Sequence, residues 1–158
     1  MSNGASLTIY RRSDAYYLVV SAQTTTGLWQ HVPEPPTVLS RKSLAPDLGS
    51  LALDCLSEHR PITPHPSRDE SVQVRQLSID PILKSANVRS WRTFITSAVQ
   101  VDVSRANQSF TITPMMAISK PQGASVPDPS AESELLSPSA LDLGRALLQA
   151  FASKDASD

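Results

Sequence analysis

The stretch at residues 47–56 reads DLGSLALDCL, and a related stretch, DLGRALLQAF, returns at residues 142–151. Both copies place apolar residues at i, i+3, i+4, i+7 and i+8, which predicts two amphipathic helices. Each aspartate falls in the first helical turn, where a carboxylate stabilises the positive end of the helix dipole by ~0.3 to 1 kcal/mol. Each glycine falls in a helix interior, where it costs ~1 kcal/mol relative to alanine. We therefore expect another backbone, such as that of the sheet, to approach each glycine closely.

A catalytic role for the repeated aspartates is the alternative interpretation. A catalytic carboxylate needs a chemical partner, and neither copy carries a histidine, a cysteine or a second acid at a supporting position. The repeat is therefore interpreted as a structural device that indicates how the chain is built.

The two predicted helices begin at polar caps. The first spans residues 44–58 with Ser43 as its N-cap, and the second begins at Ser137 and Pro138, a cap followed by proline at the first helical position. Before each helix lies a long loop that contains prolines, and the first loop holds one brief extended segment near Val38.

A predicted hairpin precedes each of these loops. Runs of β-branched and aromatic residues predict strands at 7–10 and 16–21 and again at 99–104 and 110–113. Between the halves, two short helices are expected, one from Asp80 to a left-handed cap at Asn87 and one capped by Ser90.

The elements therefore repeat as hairpin, loop and helix. Tyr17 aligns with Phe110, and Val19 aligns with Ile112, at a spacing of 93. The predicted fold class is α+β, with a single domain at 1–158 whose halves, at about 6–59 and 98–154, share one core as a pseudo-twofold pair. Residues 60–97 form the connector.

Composition and charge restrict the functional class. The chain has 158 residues, of which 40% are hydrophobic and 18% are charged, as expected for a soluble domain. The net charge is about −1 over residues 1–59, +4 over 60–120 and −4 over 121–158, and a weakly basic middle does not indicate a nucleic-acid binder. Because no signal peptide and no apolar run of ~18 to 20 residues is present, we expect a cytoplasmic protein without membrane contact.

The sequence favours no metal, cofactor or catalytic set. Cys55, His59 and His65 have the one spacing that suggests a metal ion, but helical periodicity turns Cys55 toward the core while His65 falls in a proline-rich loop. A buried thiol and surface imidazoles, including that of His31, are the favoured interpretation. We expect a protein that is not an enzyme.

Two features suggest a partner-binding surface. Trp29 lies in a loop with Gly27, where an aromatic side chain either completes the core, which is the favoured interpretation, or anchors a partner. Asp128, Glu132 and Glu134 form an acidic run on the second loop, which is either a solvated surface or a region that steers a basic partner.

Five landmarks, taken in order, resemble the immunity proteins of contact-dependent growth inhibition systems, the CdiI family. They span nearly the full chain and read TTTGLW at 24–29, LAPDLGSLALDCL at 44–56, VRSWRTFITSAVQVDVS at 88–104, SFTITP at 109–114 and LSPSALDLGRALLQAF at 136–151. The family often has a glycine-rich stretch after the ITP strand, and here MMAISKPQGASVP at 115–127 keeps only Gly123 and Val126 of that pattern.

The resemblance implies a small cytoplasmic protein that binds the C-terminal toxin domain of its cognate CdiA effector and blocks it. Many such toxins are nucleases, frequently directed at tRNA. It makes Asp128, Glu132, Glu134 and Trp29 the expected partner contacts. The alternatives are a small hydrolase or nucleotide-handling enzyme with a carboxylate-based site, and an adaptor that binds nucleic acid through the basic middle third.

Overall fold

The computed structural model describes residues 4–57, 60–117 and 125–155. In these ranges the chain forms eight strands, four α-helices and one short 3-10 turn at Pro129–Ala131. In chain order the strands and helices are β1 (Gly4–Arg11), β2 (Ala15–Gln23), β3 (Trp29–His31), β4 (Thr37–Ser40), α1 (Ala45–Ser57), α2 (Ser71–Ala86), α3 (Trp91–Thr96), β5 (Val99–Ala106), β6 (Ser109–Ala117), β7 (Ser125–Pro127), β8 (Ser133–Leu136) and α4 (Ala140–Asp155).

The strands form one antiparallel sheet in the order β3-β2-β1-β5-β6-β7, with β4 also paired to β2 and β8 also paired to β6. The first strands of the two hairpins meet at its centre, where Leu7 lies opposite Val103 and Ile9 lies opposite Val101. The fold class is α+β, as the sequence predicted.

One face of the sheet packs on α1 and α4. Alternate side chains of β1, β2, β5 and β6 meet the apolar stripes of both helices in a single core, which also holds the buried Cys55. The two stripes predicted from the repeated stretches are the buried ones, including Leu48 and Leu56 on α1 and Leu143 and Phe151 on α4.

The repeated glycines lie where α1 and α4 cross. A Cβ atom built on Gly49 would overlap the backbone carbonyl of Ala140 and lie 2.8 Å from the backbone nitrogen of Gly144. A Cβ atom on Gly144 would overlap the carbonyl of Ala45 in the same way. The expected close backbone contact is therefore present, but the proposal that the sheet makes it is wrong, because each glycine admits the first turn of the opposite helix.

The opposite face of the sheet, called here the back face, is covered by α2 and α3 over the first hairpin. Tyr10, Tyr17 and Val19 pack there against Ile82 and Phe94 in a second apolar cluster. Along β5 and β6 the same face carries polar side chains, namely Gln100, Asp102, Ser104, Thr111 and Thr113.

The predicted alignment of the hairpins was wrong by one residue. Tyr16 and Leu18 face the pair α1 and α4, as Phe110 and Ile112 do, whereas Tyr17 and its neighbours on the same face pack under α2 and α3. The residues that share a face are thus 94 apart, because a shift of one residue moves a strand's side chains to the other face.

Two predicted helix starts also differ from the structure. The carbonyl of Leu44 accepts from the amides of Asp47 and Leu48, so α1 begins at Ala45 with Leu44 rather than Ser43 at the cap position. Ser139 rather than Ser137 caps α4, accepting a hydrogen bond from the amide of Asp142 at 3.1 Å.

The helix expected at Asp80 begins at Ser71, so α2 continues through Pro81. Tertiary contacts explain the longer helix, because the hydroxyl of Ser78 donates to the carbonyl of His31 at 2.8 Å and fixes the turn before the proline. The expected cap residues Asn87 and Ser90 are confirmed, with Asn87 in the left-handed conformation and Ser90 accepting from the amide of Thr93.

Candidate functional site

A cleft of about 500 Å3 opens on the back face between the connector helices and the centre of the sheet. Its lining comes from β1, β3, α2, α3, β5 and β7 and from the segment before α2. The residues are Tyr10, Gln30, His31, Pro66, Ser71, Arg75, Ser78, Ile79, Trp91, Gln100 and Ser125. We call it the back cleft.

A hydrogen-bond network centred on His31 forms one side of the back cleft. The Nε2 atom of His31 lies 3.1 Å from the hydroxyl of Tyr10, and its Nδ1 atom lies 3.0 Å from the hydroxyl of Ser21. Ser78 on α2 also donates to the carbonyl of His31. The short edge strand β3, which contains His31, is therefore hydrogen-bonded to both β2 and α2.

A second set of polar contacts continues across β1 and β5. Gln100, which lies opposite Tyr10 in the strand register, donates from its amide to Asp102 at 3.1 Å and accepts from the hydroxyl of Ser125 at 3.0 Å. The hydroxyl of Thr8, which lies opposite Asp102, also bonds to that carboxylate. Two separate hydrogen-bonded sets therefore border the cleft, one around His31 and one around Gln100.

Burial controls the ionisation of these groups. Burial lowers the pKa of His31 to about 4, so the imidazole is neutral at pH 7. Burial raises the pKa of Tyr10, and the nearby charge of Asp102 raises it further. Burial also raises the pKa of Asp102, while hydrogen bonds from Gln100 and Thr8 act in the opposite direction.

This arrangement suits binding better than proton transfer. A serine nucleophile needs a histidine that can take its proton, and that histidine is usually oriented by a carboxylate. Here the second nitrogen of His31 is bonded to the hydroxyl of Tyr10, and the lowered pKa makes the imidazole a weak base. The network instead fixes the shape of the cleft.

The cleft has one cationic group and an apolar wall. Arg75 is the one charged side chain among the described residues that line it, since His31 is neutral. Trp91 forms part of the wall, where its indole ring stacks on Phe94 with a centroid distance of 5.2 Å.

The sequence did not identify this cleft, and for His31 it favoured the wrong environment. The imidazole is half-buried and held in a hydrogen-bond network rather than lying free on the surface. One available signal was Tyr10, which is out of phase with Leu7 and Ile9 on the same strand and so indicates a second buried face.

Trp29 is exposed to 39% and lies on β3 at one edge of the sheet. The side-chain bond between His31 and Ser21 shows that they lie on the back face, and strand alternation places Trp29, two residues before His31, on that face as well. Trp29 therefore does not complete the core. It lies at the β3 edge of the back face, and the second hairpin lies on the other side of the back cleft.

The predicted acidic residues lie at the opposite side of the sheet. Glu132 accepts from the hydroxyl of Thr113 at 3.2 Å, and Glu134 accepts from the hydroxyl of Ser109. Because these hydroxyl residues alternate with Phe110 and the other core residues of β6, both glutamates lie along the outer edge of the back face. The structure thus places them on the face that holds the cleft, although it does not bring them into contact with Trp29.

Asp128 has a different environment from the two glutamates. Its carboxylate lies 2.6 Å from the ammonium group of Lys154 on α4 and caps the 3-10 turn through the amide of Ser130. The hydrogen bond from Lys154 is the main reason that the pKa of Asp128 lies below its usual range. Asp128 therefore holds the segment against α4.

The structure does not assemble the metal site considered from sequence. The described residues contain no group of three or more histidine, cysteine, aspartate or glutamate side chains that could hold a metal ion. Cys55 lies in the core, whereas the Nδ1 atom of His65 contacts the hydroxyl of Thr26 at 3.1 Å, and His59 lies outside the described residues.

Among the residues that the structure describes, no helix is both long enough and apolar enough to cross a bilayer.

Comparison with known proteins finds relatives by fold. No family model and no curated protein matches the chain. A protein of unknown function from Neisseria meningitidis superposes with a TM-score of 0.79 at 16% identity, covering 95% of this chain and 94% of that one. A chain of the CdiA-CT/CdiI toxin and immunity complex from Yersinia pseudotuberculosis superposes with a TM-score of 0.72 at 15% identity, covering 94% and 96%. The likeness shows a shared fold over nearly the whole chain.

Proposed function

We propose that this chain is an immunity protein, which binds the C-terminal toxin domain of a CdiA-type effector in a stoichiometric complex and blocks it in the cytoplasm. The observation that carries the proposal is the fold shared with a chain of a toxin and immunity complex over 94% of this protein. The ordered sequence landmarks of the CdiI family support it independently.

The back face is the surface that we propose for toxin binding. It carries Trp29 at one edge, Glu132 and Glu134 at the other, and the back cleft between them. An exposed aromatic side chain can anchor a partner, and exposed carboxylates steer a basic one. The partner that we propose for this surface is a nuclease domain, because nucleases present basic substrate clefts that exposed carboxylates can cover. The substrates proposed for that nuclease include tRNA.

The direct test begins with the neighbouring reading frames, where the proposal expects a secreted effector, and uses the C-terminal toxin domain of that effector. We expect the two purified proteins to form a 1:1 complex by calorimetry, and we expect nuclease activity to fall to zero at one equivalent of the chain. A toxin that neither binds nor loses activity would contradict the proposal. Hydrolysis of nucleotides or RNA by the chain alone would favour the enzymatic alternative instead.

The acidic edge is tested by reversing two charges. The double variant Glu132→Lys and Glu134→Lys should slow association by ~10-fold or more at low salt and should reduce the salt dependence of the rate. Asp128 is left unchanged because its carboxylate holds Lys154.

The matched control for the acidic edge is Asp47→Lys with Asp54→Lys, which makes the same charge change on exposed residues of α1, on the other side of the sheet. Equal association rates for the two double variants at every ionic strength would remove the acidic edge from the interface.

A further inference from the structure

We propose that the back cleft receives an acidic side chain of the bound partner, whose carboxylate pairs with Arg75. The inference deepens the proposed function and rests on it, because the occupant is a segment of the toxin domain. It assigns the cleft a role in specificity that is separate from the acidic edge.

The first argument is the state of Arg75 in the free protein. Arg75, in the second turn of α2, is an exposed residue on the lining of the cleft, and within the described ranges it forms no ion pair and no side-chain hydrogen bond. A guanidinium group has five N–H donors in a planar fork that matches a carboxylate. The cleft therefore presents a donor set whose complement is an anion of carboxylate geometry.

The second argument is that the neighbouring polar groups are already bonded to one another. Tyr10 and Ser21 are bonded to His31, and Gln100 is held between Asp102 and Ser125. A ligand that enters the cleft therefore finds its polar partner chiefly at Arg75, with the side-chain amide of Gln30 as a second donor on the lining.

The third argument is the apolar wall around this cation. Pro66, Ile79 and Trp91 line the same cleft, and a partner segment that covers them removes water from the guanidinium group. An ion pair gains strength when water is excluded, since the effective dielectric constant falls. The volume of about 500 Å3 accommodates one or two side chains together with their backbone.

The charges on the back face fit an acidic segment at the cleft. Arg75 is the one charged side chain among the described residues that line the cleft, since His31 is neutral. The outer edge of the back face carries Glu132 and Glu134 instead. A toxin must present an acidic group to the cleft and basic groups to that edge, and this pairing of opposite charges discriminates against toxins that match only one of them.

The experiment compares Arg75→Glu and Arg75→Gln with Lys84→Glu in binding to the purified toxin domain. Positions 75 and 84 lie nine residues apart on α2, hence on opposite sides of the helix, so Lys84→Glu makes the same charge change away from the cleft. We expect Kd to rise at least ~20-fold for Arg75→Gln and further for Arg75→Glu, mainly through faster dissociation, and to change less than ~3-fold for Lys84→Glu.

Reversal of acidic residues of the toxin to arginine, one at a time, identifies the counterpart. One such reversal should restore binding to Arg75→Glu while weakening binding to the wild-type chain, as a double-mutant cycle requires. If no reversal restores binding, or if Arg75→Glu behaves like Lys84→Glu, the cleft does not hold an acidic side chain.

Two further results would overturn the inference in favour of another ligand. One is binding of free glutamate or inorganic phosphate to the chain alone that is lost in Arg75→Glu, and the other is binding of RNA that depends on Arg75. Failure of the wild-type chain to bind the toxin would instead refute the proposed function, so the two failures are distinguishable.

Discussion

Replacement of either repeated glycine by alanine tests the packing of α1 against α4. In most helix interiors this change stabilises a protein by up to ~1 kcal/mol, because alanine is the better helix former. Here a Cβ atom on Gly144 would overlap the carbonyl oxygen of Ala45, with the Cα atom of Ala45 only 3.0 Å away. The obstacle is backbone, which cannot rotate aside as a side chain can, so the helices must separate.

The magnitude follows from two opposing effects. Overpacking of a dense interior costs ~1 to 3 kcal/mol and occasionally more, and separation of the helices also loosens the apolar contacts of Leu48 and Leu143 at the crossing. Because the obstacle is backbone, we place the cost at or just above the upper end of that range, ~3 to 4 kcal/mol. After the ~1 kcal/mol gain in helix propensity is subtracted, we expect Gly49→Ala and Gly144→Ala each to lower the free energy of unfolding by ~2 to 3 kcal/mol. For a domain of this size, that change lowers Tm by ~4 to 12 °C.

Urea and thermal unfolding measure the effect, with Ser50→Ala as the matched control. Ser50 is exposed next to Gly49 on the same helix, so its replacement changes propensity without changing the crossing. Because the two glycines contact the same crossing, the double variant should lose less stability than the sum of the single variants. Unchanged or increased stability in both single glycine variants would refute the packing argument.

Two other predictions concern stability. The folded protein holds His31 neutral with a pKa of about 4, below the ~6.5 of an unfolded chain, so its contribution is complete above pH 6.5 and declines by up to ~1.4 kcal/mol per pH unit as the pH falls toward 4. Urea titrations between pH 7 and 5 should show this slope in the wild type and a flatter one in His31→Gln, and parallel curves would contradict it. Ser139→Ala should lower the free energy of unfolding by ~1 kcal/mol through loss of the α4 cap, whereas Ser43→Ala should lower it by less than half as much. Equal effects of the two variants in urea unfolding would contradict the assignment of Ser139 as a cap and Ser43 as none.

Much of the fold was predictable because its information is local. A few neighbouring residues are enough to predict each of the local features that were found. These are the helical stripe around Leu48, the hairpin alternation around Val101 and the caps at Asn87 and Ser90. The short strands β3, β7 and β8 were missed because each has only three or four residues and is defined by its pairing with a longer strand. The extension of α2 ahead of Pro81 was missed for a similar reason, since a contact from Ser78 to another element supports it.

The candidate site was predictable only in part. The two glutamates are exposed, which agrees with an acidic surface run, whereas Trp29 is exposed although the core was its favoured environment. Contact of these residues with a toxin stays a prediction. The back cleft could not be deduced, because His31, Tyr10 and Arg75 come from three separate segments and their convergence depends on the strand order. Local patterns do not contain that order.

Comparison of the two halves explains why the cleft lies where it does. We propose that the halves are an internal repeat, since β1, β2 and α1 occupy places equivalent to β5, β6 and α4 around the central pair of strands, and one glycine from each half meets at one crossing. Within the described residues, nothing in the second half corresponds to α2 and α3. The back face is therefore apolar and covered over β1 and β2, but polar over β5 and β6, and the cleft forms at the boundary between them. A twofold repeat by itself would make the two halves of the back face alike, so the connector that breaks the symmetry is the element that creates the site. We therefore expect α2 and α3, and Arg75 in particular, to differ between proteins of this fold that bind different partners. The crossing of α1 and α4 should stay unchanged in the same proteins.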